Sequence, residues 1–229
     1  MGTGAFANLR MHAEFDRLAA IVISHMHADH FIDLIPLRYA LRYGRACGDR
    51  KLPLYLPPGG ERMLVRLCEA FADEGAGDFL GAVFDVHTYD PARALTLGDG
   101  VLTFAHTTHY IPAFAVRYEQ RHGAQSVTYS ADTAPNEHVI ALARGTDLFL
   151  CEATLLADVR ERGPRGHSSA REAAEMAHRA GVGCLCLTHY GEDATASDLA
   201  ESAREVFLGD VVVAEDHEVY TIGTKIALG

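Results

Sequence analysis

The stretch Ile21-Val22-Ile23-Ser24-His25-Met26-His27-Ala28-Asp29-His30 constrains this chain more than any other. Its three β-branched apolar residues predict a short buried strand. Three imidazoles and a carboxylate follow directly. A chain that turns sharply at a strand end can aim His25 and His27 to one side and Asp29 and His30 to the other. One peptide can feed two neighbouring cations in that way. Imidazole nitrogen and carboxylate oxygen are the donors zinc takes in catalytic sites, where one position stays open for water. The bland alternative is a surface loop that happens to be rich in histidine.

Later strands weigh against the bland alternative, because they too end in chemistry-bearing residues. Val101–Ala105 runs to His106-Thr107-Thr108-His109, and Val127–Ser130 leads to Asp132. Leu148–Cys151 ends at Glu152, and Cys184–Leu187 at Thr188-His189. A lone histidine at any of these places is more often a core or surface residue than a ligand. Five strand ends doing this together match the layout of an α/β active site, with functional groups gathered along one sheet edge.

Between these points the periodicity predicts a helix over Phe31–Tyr43, either kinked at Pro36 or starting near Leu34. A strand at Leu52–Leu56 and a helix through Leu64, Leu67, Cys68 and Phe71 follow, closed by Gly75-Ala76-Gly77. Hairpins are expected at Ala94–Leu97 with Val101–Ala105 and at Ala113–Tyr118 with Ser126–Tyr129, the second turning at His122-Gly123. Helices are expected at Asn136–Ala143, Ser169–Ala180 and Ala196–Phe207. The middle one opens on the capping-box pattern Ser169-Ala170-Arg171-Glu172. Val211–Ala214 and Glu218–Ile222 complete the strands. Interspersed strands and helices, with no internal repeat and no linker, predict one α/β domain over residues 1–229.

Composition bounds the partners. A net charge of −11 argues against a large footprint on DNA or long RNA. It leaves room for a small anionic substrate, because bound divalent cations set the local field. No apolar run is long enough to span a bilayer, and Met1–Arg10 lacks a secretory pattern, so the default expectation is cytoplasmic. Cys47, Cys68, Cys151, Cys184 and Cys186 show no paired spacing and read as buried thiols.

With these motifs in view, the chain resembles a metallo-β-lactamase-fold hydrolase of the ribonuclease Z-like phosphodiesterase branch. The resemblance rests on Ser24–His30, on His109-Tyr110-Ile111-Pro112-Ala113-Phe114 and on Tyr129-Ser130-Ala131-Asp132-Thr133. Cys151-Glu152-Ala153-Thr154 resembles that branch's H-E-A-T, with Cys for the first His. Gly166-His167-Ser168-Ser169-Ala170 resembles its G-H-S-[ST]-A, and Leu187-Thr188-His189-Tyr190 its last ligand motif. The resemblance implies an αββα sandwich and two divalent metal ions, zinc by default with manganese or iron as alternatives. His25, His27 and His109 would hold one ion, and Asp29, His30 and His189 the other, with Asp132 and a hydroxide bridging. His106 competes with His109; the Ile111–Phe114 run favours His109. Asp29 would aim the hydroxide, and His167, hydrogen-bonded by Glu152, would stabilise or protonate the leaving oxygen.

Ribonuclease Z proper carries a long tRNA-gripping arm between the ligands equated here with His109 and Asp132. This chain has room there for one hairpin only. The expected substrate is therefore a small phosphodiester such as a cyclic nucleotide, with tRNA 3′-end cleavage as the runner-up. Thioester or lactone hydrolysis on the same centre is a further alternative, as is a degenerate metal protein acting as a binding or regulatory module, though every ligand position is filled, which counts against the last. Family members also begin with two or three strands before the region matching Gly2-Thr3-Gly4. The resemblance thus implies a sheet lacking those first strands, with its open edge covered in a homodimer.

Overall fold

The computed structural model describes residues 1–44, 50–72, 75–122, 125–156, 163–222 and 227–228. Cys47 and the Gly123 turn position lie outside the described residues. The chain divides into two compact units, Met1–Asp90 and Pro91–Gly229.

The first unit runs α1 (Ala5–His12), β1 (Ile21–Val22), α2 (Ala28–Phe31), α3 (Leu34–Tyr43), β2 (Leu52–Leu56), α4 (Gly60–Cys68), α5 (Ala76–Gly81) and β3 (Phe84–Thr88). Its strands form a three-stranded parallel sheet in the order β1-β2-β3. Leu52, Leu54 and Leu56 alternate inward and are buried. Pro53 is unusual in a middle strand, since proline cannot donate to a ladder. Here the Leu52 N–H bonds to Val83, towards β3, so the nitrogen of Pro53 faces the β1 side. The β1 ladder begins only at Leu54, so no bond is lost.

Of the two readings of Pro36, the structure takes the later start: α3 begins at Leu34 and Pro36 falls in its first turn. The residues before it form the separate short helix α2. Gly75-Ala76-Gly77 does not simply close a helix. Gly75, at φ 89°, opens α5, an element too short to show periodicity. The fully buried Arg38 was not foreseen; its Nε donates to the Phe79 carbonyl and its guanidinium lies 3.6 Å from the Phe79 ring centroid.

The second unit contains β4 (Leu95–Leu97), β5 (Gly100–His106), β6 (Phe114–Gln120), β7 (Ser126–Tyr129), α6 (Glu137–Ala143), β8 (Leu148–Glu152), α7 (Ala170–Ala180), β9 (Cys184–Thr188), α8 (Ala196–Arg204), β10 (Asp210–Val213), β11 (Tyr220–Thr221) and β12 (Ala227–Leu228). Seven strands form one mixed sheet in the order β10-β9-β8-β7-β6-β5-β4. The hairpin half, β4 to β7, is antiparallel, and β7 to β10 are parallel with a helix in each crossover. The apolar faces of α6, α7 and α8 bury against Phe149, Cys151, Leu185 and Leu187 in one core. Cys184 and Cys186 point to the other face with Leu148. The strand expected at Glu218–Ile222 shrinks to β11, paired among the described residues with β12. No helix among the described residues is long and apolar enough to cross a membrane.

Candidate metal centre

In the first unit the donor-rich loop leaves β1 and enters α2 within five residues. It is anchored from beneath. The buried Tyr89 hydroxyl donates to the Ile23 carbonyl at 3.0 Å, with the Ser24 carbonyl at 3.3 Å. Burial pushes the Tyr89 hydroxyl well above its ordinary pKa, so it stays a donor. Met26 points down onto Gly60, where a Cβ would stand 3.1 Å from its sulfur. Gly2 closes the other side: a Cβ there would fall 1.7 Å from the Asp29 carbonyl, so only glycine fits. Four candidate donors are thereby gathered. The His25 ring centroid lies 5.1 Å from that of His27 and 4.0 Å from that of His30. Asp29 Oδ2 lies 3.3 Å from His30 Nε2.

In the second unit the donors come from separate strand ends. Glu152 ends β8 and pairs in register with Thr188, which puts His189 one residue beyond. Asp132 follows β7 through Ala131, whose φ of 52° turns the chain; His189 has the same φ. Left-handed backbone at a non-glycine residue is costly and persists only when its surroundings enforce it. Here they do. Ser130 Oγ donates to the Ala131 carbonyl at 2.6 Å and accepts the Glu152 N–H at 3.1 Å. Thr108 and Ala134 form an isolated bridge, which ties the residue before His109 to the Asp132 turn. His167 stands just ahead of α7. Its place is set by the Ser169–Glu172 capping box and by Ser168 Oγ, which donates to the Thr133 carbonyl at 2.6 Å.

His109 Nε2 and His189 Nε2 lie 3.7 and 3.8 Å from the same Asp132 oxygen, Oδ2. Those separations are too long for hydrogen bonds. They suit ligands of a shared cation, since two donors about 2.1 Å from zinc stand about 3.4 Å apart at the tetrahedral angle. Ligand atoms of Asp132, His167 and His189 also lie within 4.8 Å of one another. His109 Nδ1 donates to the Gly166 carbonyl at 2.8 Å, which leaves its Nε2 lone pair for a metal. Gly166 has no room for a Cβ because the Tyr110 ring lies against it. The residues therefore fit a divalent cation.

Glu152 is the hub of this unit. Fully buried, its Oε1 accepts the Thr133 N–H at 2.6 Å and His167 Nδ1 at 3.0 Å. Its Oε2 accepts the Thr154 hydroxyl at 2.6 Å and the Thr154 N–H at 3.3 Å. The structure thus brings His109, Asp132, Glu152, His167 and His189 together in the second unit, and gathers His25, His27, Asp29 and His30 in the first. His106 sits apart: its exposed ring packs on Phe114 at 4.6 Å. The hydroxyls of Ser130, Thr133 and Thr154 and the phenol of Tyr89 were not singled out from the sequence. A hydroxyl directly after a strand end is too common to be a signal by itself.

Comparison with known proteins follows the same lines. Residues 2–190 match the beta-lactamase superfamily domain family. The probable metallo-hydrolase YhfI of Bacillus subtilis is 29% identical over 225 residues, covering 96% of this chain and 85% of that protein. An uncharacterized Mycobacterium tuberculosis protein, Rv1339, is 31% identical over 221 residues, covering 96% of this chain and 79% of that one. Ribonuclease Z of Brevibacillus brevis is 28% identical over 263 residues, covering 87% and 78%. The crystal structure of YhfI, described as a metallo-beta-lactamase fold protein, superposes with a TM-score of 0.81 at 27% identity, covering 94% of this chain and 83% of that one.

Proposed function

This chain belongs to the beta-lactamase superfamily, and on that footing we propose that it is a metal-dependent hydrolase with a binuclear centre, a phosphodiesterase for small phosphodiesters such as cyclic nucleotides. Two divalent cations, zinc by default, would lower the pKa of a shared water and neutralise charge on a phosphoryl group. In this reading His25, His27 and His109 would hold one ion and Asp29, His30 and His189 the other, with Asp132 serving both, and residues 1–229 would work as a single hydrolase domain. The relatives named as a probable metallo-hydrolase and a ribonuclease Z support a hydrolytic reaction.

The observation that carries the phosphodiester preference is the His167–Glu152 pair. With Nδ1–H held by a buried carboxylate, His167 would present Nε2 to a substrate, and the carboxylate would stabilise positive charge on the ring. A cationic donor there can stabilise the charge that develops on a phosphoryl oxygen, or pass a proton to the leaving alkoxide. A carbonyl substrate has less need of it. Asp29 keeps a largely exposed carboxylate, suited to accept a hydrogen bond from the attacking hydroxide and aim it.

A second reading, tRNA 3′-end cleavage, is favoured by the Brevibacillus brevis relative. Weighing against it, a seven-residue β6 and a four-residue β7 occupy the stretch between His109 and Asp132, and the chain carries a net charge of −11. The homodimer expected from the small first sheet remains part of the proposal, and analytical ultracentrifugation tests it. The deciding experiment is turnover by zinc-loaded protein of cyclic nucleotides, a tRNA precursor, and a thioester and lactone panel. Hydrolysis confined to the cyclic nucleotides is expected. Turnover of the acyl substrates alone would overturn the phosphodiesterase assignment.

A further inference from the structure

We propose that Thr154 is a positioning residue: its hydroxyl relays Glu152 to His189, fixing the imidazole so that Nε2 is the nitrogen offered to the metal. The proposal rests on the metal-centre reading above and adds to it the device that holds one ligand in place.

Three groups crowd the Thr154 hydroxyl, and it has a single hydrogen to give. Glu152 Oε2 lies 2.6 Å away, His189 Nδ1 2.8 Å and the His189 carbonyl 2.9 Å. If the hydrogen went to either histidine atom, a bare oxygen–oxygen contact of 2.6 Å with a fully buried carboxylate would remain, which is strongly repulsive. The hydrogen therefore goes to Glu152, the shortest and charge-assisted bond. The hydroxyl oxygen can then meet His189 Nδ1 only as an acceptor, so Nδ1 carries the proton. Nε2, 3.8 Å from Asp132 Oδ2, is left with its lone pair.

The same contact bears on the backbone. His189 has a φ of 52°, a conformation a β-carbon disfavours. The Ala153 N–H donates to the Thr188 carbonyl at 2.8 Å, and with Thr154 pressed on His189 the two strand ends hold the turn from both sides. One buried carboxylate thus serves two imidazoles, His167 through Oε1 directly and His189 through Oε2 by way of a hydroxyl. Partners of this kind typically alter metal affinity by about 10- to 100-fold when removed.

The test uses protein with 15N-labelled histidine. In metal-free wild type, long-range 1H–15N spectra should show His189, identified by its loss in His189→Gln, as the Nδ1–H tautomer. Thr154→Val should lose that preference and bind zinc about 10- to 100-fold more weakly by chelator competition. Thr154→Ser should restore both. An Nε2–H tautomer in wild type overturns the relay, as does a Thr154→Val protein that keeps both tautomer and affinity. The wild-type tautomer does not depend on Thr154→Val, so misfolding of that variant leaves the proposal refutable. A wild type that binds no zinc overturns the metal centre itself, while the tautomer still decides whether the relay exists.

Discussion

In the first unit four candidate donors fall within six residues, His25 and His27 in the loop after a two-residue strand and Asp29 and His30 in the four-residue helix that follows. In the second, the functional residues come from four strand ends and the residue stretch before α7, and a single carboxylate organises them. The contrast is one of restraint. The Asp29 side chain is 59% exposed, whereas Glu152 is wholly buried and both of its oxygens are engaged. Adjacent donors are already close in the chain, so the contacts from Tyr89, Gly60 and Gly2 have only one short segment to hold in place. Dispersed donors need a network to converge at all.

That contrast can be broken or sharpened by mutation. The largest effect expected is on turnover: His167→Ala should lower kcat by about 10²- to 10⁴-fold. Its zinc content, read by elemental analysis, should stay unchanged, which separates its role from that of a ligand. Next comes stability. Glu152→Ala leaves the buried Thr133 N–H and the His167 ring N–H without their acceptor and should cost about 2 kcal/mol or more in urea unfolding, at about 1–3 kcal/mol for each unsatisfied group. Asp29→Ala, at an exposed position of α2, should stay within about 0.5 kcal/mol. Equal costs at the two positions would erase the distinction drawn between the units.

A smaller effect is expected from metal. Zinc at about 100 times its Kd should raise unfolding stability by about 2.7 kcal/mol over chelator-treated protein. In Asp132→Asn, whose carboxylate faces two imidazoles, the gain should shrink. The smallest effect concerns the thiols. Burial pushes Cys68 and Cys186 up to about 11, Cys184 up to about 12 and Cys151 higher still. A raised thiol pKa leaves almost no thiolate near neutral pH, and thiolate is the reactive form. Peptide mapping after iodoacetamide treatment of folded protein at pH 8 should find these four unmodified, and unfolding in urea should expose them.

How much of this was legible in the sequence differs by region for the same reason. The loop at Ser24–His30 announces itself, since its donors are adjacent in the chain. The order and type of most strands followed from apolar runs, and α7 from its capping box and Gly181. Helix α5 escaped because six residues carry too little periodicity, and Gly75 reads as a stop until its φ shows it to be a start. Arg38 escaped because a buried arginine is recognised only from what surrounds it.

By itself, then, the chain's order of residues determined the α/β class, the family resemblance and the identity of the candidate donors, because those depend on residue type and local period. Only the tertiary structure decided that His109 rather than His106 faces Asp132, that Glu152 holds His167, and that a threonine hydroxyl stands between Glu152 and His189. Each of those is a contact between residues far apart in the chain or a choice among hydrogen-bond partners. Such choices are set by strand register and by the cost of leaving a buried polar group unmatched, and neither quantity is written in any short stretch of sequence.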